Sequence, residues 1–423
     1  MKSYQRIIKD IPIPRVYKVK YNIPNEHLKD VENEVVKQLQ KSGVLNRVKK
    51  GMNIAIAVGS RGVANQPLVC KTLIEQLKEL GAKPFVIPAM GSHAGAEAAG
   101  QKRMLEALGF TEEYLGVPIK SSMETTEIGR TEKNNYPVHV DVYANNADAT
   151  IILNRIKAHT SFVGPIQSGL AKMAVIGLGK QKGAEICHEL GFATMSARIV
   201  EIAHVLFKKS NIIFGIGLIE NGLHQTHSVH IVPVEKMEEE EPLLLEKANK
   251  LLARVPFKDL EVIVVDQIGK DISGTGLDPN VVGRYHTGFG SGGPNVTRIS
   301  ILDITDNSGR NANGIGISDF TTQRAYDKFD FEETYPNALT SGGAVSVKLP
   351  MVLPNDKNCI QAAIKTSFIW DKTKVRLVRI KDTVTLGEME VSETLLDEIN
   401  ANPLLEIIKG PYDLVFDKDD NLF

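Results

Sequence analysis

Cysteine is scarce in this chain of 423 residues, and the three present follow no motif. Cys70, Cys187 and Cys359 are odd in number, far apart and never in C-x-x-C spacing, which excludes a disulfide framework, a structural zinc site and an iron–sulfur cluster and points to a reducing compartment. A surplus of charge of one sign is also missing. The formal net charge of -1 and a sequence pI near 6.8 leave no electrostatic footprint for nucleic acid or an anionic membrane. No apolar run of about 18 residues occurs, and the opening MKSYQRIIKDIPIPRVYKVKYN is broken by charges and prolines where a signal sequence would be continuous. The expectation is a soluble cytoplasmic protein whose partner is a small molecule, with no nucleic acid and no membrane. The sole tryptophan, Trp370, reads as packing.

What is present is enough apolar residue for large cores: 42% hydrophobic against 24% charged, over a length that exceeds one ordinary core. From Met52 the chain alternates short apolar runs with helical spacing. MNIAIAV, KPFVIPA, ADATIILN, NIIFGIGLIE and LEVIVVDQ read as buried strands, whereas NQPLVCKTLIEQLKELG and ATMSARIVEIAHVLFKKS read as helices. The fold class expected is α/β: two domains with mostly parallel sheets flanked by helices and the active site in the interdomain cleft. The expected division is 1–254, a cofactor-binding domain, and 255–423, with the extreme C-terminus able to return to the first domain. The glutamate run Glu238 to Glu241 reads as a solvated face or helix start.

The stretch GLAKMAVIGLGKQKGAEICH (169–188) keeps one lysine, Lys172, inside an apolar, small-residue run, with His188 sixteen positions further on. Its glycines do not make a phosphate loop, because Ala174 stands where a glycine is needed and Gln181 where a magnesium-binding hydroxyl is needed. GIGLIENG fails as a dinucleotide fingerprint because Glu220 replaces the third glycine, which disfavours an ordinary NAD-dependent oxidoreductase. His93 and His159 both follow predicted strands, on the rim where open α/β sheets place ligands, and two imidazoles there can act as acid and base near neutral pH. Each can equally cap a loop. HQTHSVH places His224, His227 and His230 three apart, but in a loop leading into a strand, where odd spacing alternates faces.

The pattern R-I-K-A-H-(x)8-S-G-x-x-K-(x)4-G-(x)10-H, Arg155 to His188, resembles the nickel-dependent lactate racemase family. The resemblance implies a nickel pincer nucleotide (a pyridinium mononucleotide carrying two sulfur donors) joined covalently to Lys172, with His188 as the nickel ligand and His93 and His159 as the catalytic histidines. It implies a racemase or epimerase of a 2-hydroxy acid working by reversible hydride transfer, and reliance on cofactor-biosynthesis proteins. Two soft sulfurs, a ring carbon and one imidazole form a square-planar set suited to nickel, so no dense His/Cys cluster is required. Ser168 and Gly169 are small enough to let a flat ring approach, and Arg61, Asn65 and Gln66, at the first strand-to-helix turn, are candidates for its phosphate. The chain departs from the family pattern in three extra residues between His159 and the S-G-x-x-K turn, in Leu170 and Ile176 where the family has glycine and proline, and in DQIGKDISGTGLDPNVVGR where a Y-Q-x-x-K segment belongs. Lys270, Asp271 and Arg284 are the substrate candidates, with structural ion pairing as their alternative use. The substrate expected is a hydroxy acid larger than lactate, and His286 is a lesser candidate in the second half. The rival reading is a non-catalytic binding protein for a small acidic ligand.

Overall fold

The computed structural model describes residues 3–423. A first strand, β1 (Val16–Tyr21), precedes a run formed by β2 (Asn53–Val58), β3 (Lys83–Pro88), β4 (Thr125–Arg130), β5 (Pro137–Asp141), β6 (Ala149–Arg155), β7 (Ile212–Glu220) and β8 (Thr226–Pro233). The remaining strands are β9 (Asp259–Ile268), β10 (Asn295–Ile304), β11 (Phe320–Thr322), β12 (Met351–Leu353), β13 (Leu377–Ile380), β14 (Glu388–Ser392) and β15 (Leu405–Tyr412). The fold class is α/β, with mostly parallel sheets flanked by helices.

Two compact units emerge: Pro24–Leu252, and the described residues through Ile23 together with Ala253–Phe423. The division expected from sequence, 1–254 and 255–423, differs in the placement of the first strand. β1 lies between β14 and β15, antiparallel to both, so the N-terminal segment completes the later sheet and β15 stays in that same unit. Nothing in VYKVKY could name partners about 370 to 400 positions away.

In the unit Pro24–Leu252 a five-stranded sheet has the order β3-β2-β6-β7-β8, parallel except for β8. The central strands are apolar on both faces because both are covered. Ile54, Ile56 and Val58 face one core with Leu73 and Leu77 of the helix Gln66–Glu79, while Ala55, Ala57 and Ile152 face the other with Ile199 and Leu206 of the helix Met195–Lys209. Gly215 and Gly217, part of the failed dinucleotide pattern, lie within β7. A Cβ on Gly215 would come within 2.9 Å of Leu170, and one on Gly217 within 2.6 Å of Ile156, so these glycines admit the segments that carry the site.

The other unit holds an eight-stranded sheet ordered β12-β11-β10-β9-β13-β14-β1-β15, parallel from β12 to β13 and antiparallel beyond. Its two faces bury separate clusters, one around Ile263, Ile299 and Val378 and one around Val262, Leu302 and Ile360. Among the described residues, no helix is long and apolar enough to cross a membrane.

Candidate active site around Lys172

Lys172 sits where a short helical turn, Leu170–Lys172, widens into a π-helical turn, Met173–Gly177, ahead of the helix Lys180–His188. Such wide turns cluster at functional sites because they aim a side chain that a regular helix would carry past its target. The start of the segment is pinned twice. Asn154, at the end of β6, donates to Gly169 O at 2.8 Å, and the Glu241 carboxylate accepts from Ala171 N at 2.8 Å. Glu241 approaches so closely that a Cβ on Gly169 would lie 2.0 Å from its Oε1. Gly169 is therefore required by an internal carboxylate.

Opposite Lys172 runs the loop 158–167, closed by reciprocal backbone bonds between Lys157 and Ser168 at 2.8 and 3.2 Å. The extra residues noted in the sequence fall inside this closed loop. Within it His159 is held three ways: its N–H donates to Gln167 Oε1 at 2.8 Å, its ring stacks on Phe162 at 4.2 Å between centroids, and its Nδ1 accepts from Ser161 N at 3.1 Å. The ring thereby presents Nε2 to Lys172 Nζ, 2.6 Å away. Enclosure of the amine, helped by the charges of Arg61 and Lys157, lowers the Lys172 pKa to about 8.

His188 closes the helix begun by Lys180. Burial, then the cationic Lys172 and Arg198, lower its pKa to about 4, so the imidazole is neutral at pH 7. Its buried Nδ1 has no hydrogen-bond partner. Arg198, 2% exposed, donates to Cys187 O and, at 2.7 Å, to Thr194 Oγ1, which braces the helix end carrying His188. Lys172 and His188 thus act on one another electrostatically across the glycine-rich turn.

His93 follows β3 and is exposed; its Nδ1 pairs with Ser60 Oγ from the turn after β2. Its carbonyl accepts from Gln101 Nε2 at 3.3 Å, and Gln101 also donates to Gly91 O at 2.9 Å. Behind that loop lies a fully buried ion pair, Lys180 to Asp141 at 3.1 Å, whose ammonium also donates to Pro88 O and, at 3.3 Å, to Gln101 Oε1. Arg61, exposed in the same turn as Ser60, is close enough to Lys172 to affect its charge. Asn65 and Gln66 are committed inward: Asn65 Nδ2 donates to Thr226 Oγ1 at 2.9 Å, and the buried Gln66 donates to Leu153 O at 3.2 Å. The Ser168 backbone closes the His159 loop.

The remaining candidates lie elsewhere in the chain. Lys270 donates to Gly274 O at 2.6 Å and Asp271 accepts from Thr305 Oγ1 at 2.6 Å, both on the loop after β9. Arg284 spends its guanidinium on Asp319 and on the carbonyls of Ile317, Val296 and Thr297. His286 is 7% exposed, and burial with the nearby Lys270 lowers its pKa to about 4. His227 and His230 meet at Ser228 Oγ with Lys247, and His224 stands in the preceding turn, 4.0 Å from Glu220. Among the described residues, no group of three or more His, Cys, Asp or Glu is placed to hold a metal ion.

Sequence reasoning passed over Ser60, Gln101, Asp141 and Arg198, and its reading of Glu238 to Glu241 as a solvated face or helix start is corrected for Glu241, which is 1% exposed. One signal was available. Glu241 falls in register with Met237, Leu245 and Ala248, the buried stripe of the helix Met237–Leu251, which separates it from its three neighbouring glutamates.

Residues 4–199 match the family model described as the lactate racemase N-terminal domain. No curated protein matches the chain. Among solved structures, the lactate racemase apoprotein from Thermoanaerobacterium thermosaccharolyticum is similar at 16% identity and a TM-score of 0.49, over 87% of this chain and 92% of that one. Over residues 4–199, just under half of its length, the chain is thus similar to the lactate racemase N-terminal domain.

Proposed function

We propose that the chain is a racemase or epimerase of a 2-hydroxy acid that works by reversible hydride transfer with a nickel pincer nucleotide carried on Lys172. The observation that carries this reading is the convergence at Lys172. An enclosed amine lies 2.6 Å from one imidazole and is electrostatically coupled to a second, whose buried Nδ1 has no partner. The donor set fits the group: one neutral imidazole, His188, as metal ligand, one primary amine, Lys172, as anchor, and the guanidinium of Arg61 for a phosphate. Asn65 and Gln66 would shape the phosphate turn from within, and Ser168 and Gly169 would keep side-chain bulk away from the ring.

The bound group would supply the hydride acceptor and donor. The chain's residues handle the proton of the substrate hydroxyl. With Nδ1–H on Ser60 Oγ, His93 offers Nε2 as a base, while His159, whose Nδ1 accepts from Ser161 N, offers Nε2–H as a donor. The opposite enantiomer requires exchanged roles, and for His159 that means releasing the Ser161 contact. Lys270 and Asp271 are the proposed contacts for the substrate carboxylate and hydroxyls, while Arg284 is already committed to Asp319. A hydroxy acid larger than lactate, such as an aldonate, is the substrate class in this reading. A cytoplasmic location and dependence on cofactor-biosynthesis proteins belong to the same proposal.

Intact mass and metal analysis of the chain from a cofactor-making host test the reading. The expected result is a covalent adduct on Lys172 with about one nickel per chain. Lys172→Ala should lack the adduct, and His188→Ala should keep it with nickel reduced at least tenfold. An unmodified, nickel-free wild-type chain from that host would favour the non-catalytic binder.

A further inference from the structure

Two hydrogen bonds at His159 fix where its proton lies. A backbone N–H can only donate, so Ser161 N at 3.1 Å makes Nδ1 an acceptor, and a neutral imidazole in that state carries its hydrogen on Nε2. Nε2 is the atom 2.6 Å from Lys172 Nζ. An ammonium has three donors and no acceptor, so it cannot complete this contact. A neutral amine can, through its lone pair.

We propose that His159, locked by Ser161 N as the Nε2–H tautomer, donates to Lys172 and shifts it towards its neutral, acylatable form before any group is attached. The proposal deepens the reading of Lys172 as the anchor and rests on it for the natural acyl donor: the activated carboxyl or thiocarboxyl group of an anionic ring compound. His159 is then a positioning residue for the attachment step. In that step the amine nitrogen forms a bond to the acyl carbon, the bond from that carbon to its leaving group breaks, and an amine proton departs with the leaving group.

The surroundings act in the same direction. Arg61 from the turn after β2 and Lys157 from the end of the β6 segment are cations that disfavour an ammonium beside them. Cys187, on the helix Lys180–His188, would oppose them as a thiolate, but burial pushes its pKa up to about 12 and keeps it a thiol. His188 from that helix is neutral at pH 7. Glu241, across the start of the segment, directs its carboxylate to Ala171 N. His159 supplies the directional element among these groups.

The test uses the full chain from a host that makes no pincer nucleotide, acetylated with N-succinimidyl acetate between pH 6 and 10. The rate at Lys172 is read by peptide mass spectrometry against exposed lysines in the same digest. Lys172 should reach half its limiting rate near pH 8, against about 10.4 for an ordinary lysine. His159→Phe keeps a ring for Phe162 but loses the donor, and should move the half-point up by about one pH unit, about an eightfold loss of rate at pH 7.5. His159→Gln can accept from Ser161 N and donate to Lys172, and should restore the wild-type profile. Wild-type Lys172 labelling in step with exposed lysines would overturn the proposal, as would an unchanged profile in His159→Phe. The outcome is independent of the adduct experiment. Labelling as expected with no adduct from a cofactor-making host defeats the racemase reading alone, and an adduct with ordinary labelling defeats this inference alone.

Discussion

Glu241 shows at the scale of one residue how an internal contact sets a pH response. Its side chain is 1% exposed, and burial raises its pKa to about 7 despite the N–H groups it accepts from Leu170 and Ala171. The native state therefore holds this proton between the ordinary carboxyl range and pH 7 while the unfolded chain has lost it. The stabilisation is complete below about pH 4.5 and disappears as pH rises to 7. Glu241→Gln removes that slope, so relative to wild type the variant should gain roughly 2–3 kcal/mol more at pH 8 than at pH 5 in urea unfolding. Equal differences at the two pH values would refute this account. His188 slopes the other way: its pKa falls to about 4, so its contribution is complete above about pH 6.5 and is lost as pH drops towards 4. At this scale the sequence was legible where a residue's neighbours lie along the chain. Lys172 and His188 stand out by spacing and Glu241 by its register with a buried stripe, but no local pattern names Ala171 as the partner of Glu241 or Asp319 as that of Arg284, contacts set by tertiary packing.

Among the elements, the loop carrying His93 depends on a buried cation behind it. Lys180 joins the end of β3 through Pro88 O to Asp141 at the end of β5 and to Gln101 under the His93 carbonyl. Removing one partner of a buried pair strands the other charge, so Lys180→Met should cost about 3–5 kcal/mol in urea unfolding. Asp141 also accepts from Tyr143 N and Ala144 N, bonds that asparagine can keep. Lys180→Met with Asp141→Asn should therefore recover most of the loss. If the double variant is no more stable than Lys180→Met, the pair is not what holds this junction. The strand and helix order from Met52 was readable because β2, β3, β6, β7 and β9 are continuous apolar runs separated by capped helical spacing. The β4–β5 hairpin was not, because TTEIGR and PVHVD are half-polar and too short to show a period.

For the whole molecule, the division of the chain makes its own prediction. The segment Pro24–Leu252 contains a complete sheet with a core on each face, and expressed alone it should unfold cooperatively. A fragment starting at Ala253 lacks β1 and leaves the facing edges of β14 and β15 unpaired, a template for aggregation. Size-exclusion chromatography should show aggregates for that fragment and monodisperse protein when residues 1–23 are supplied as a peptide. A monodisperse fragment without the peptide would show that β1 is dispensable. During synthesis, the strand made first must wait for nearly the last ones: Val16–Tyr21 has no neighbour until Glu388–Ser392 leaves the ribosome, and its other edge none until Leu405–Tyr412 follows. The unit around Lys172 can mature meanwhile, and any truncated product would keep its early half intact while carrying a sticky, unmatched ribbon that quality control can recognise.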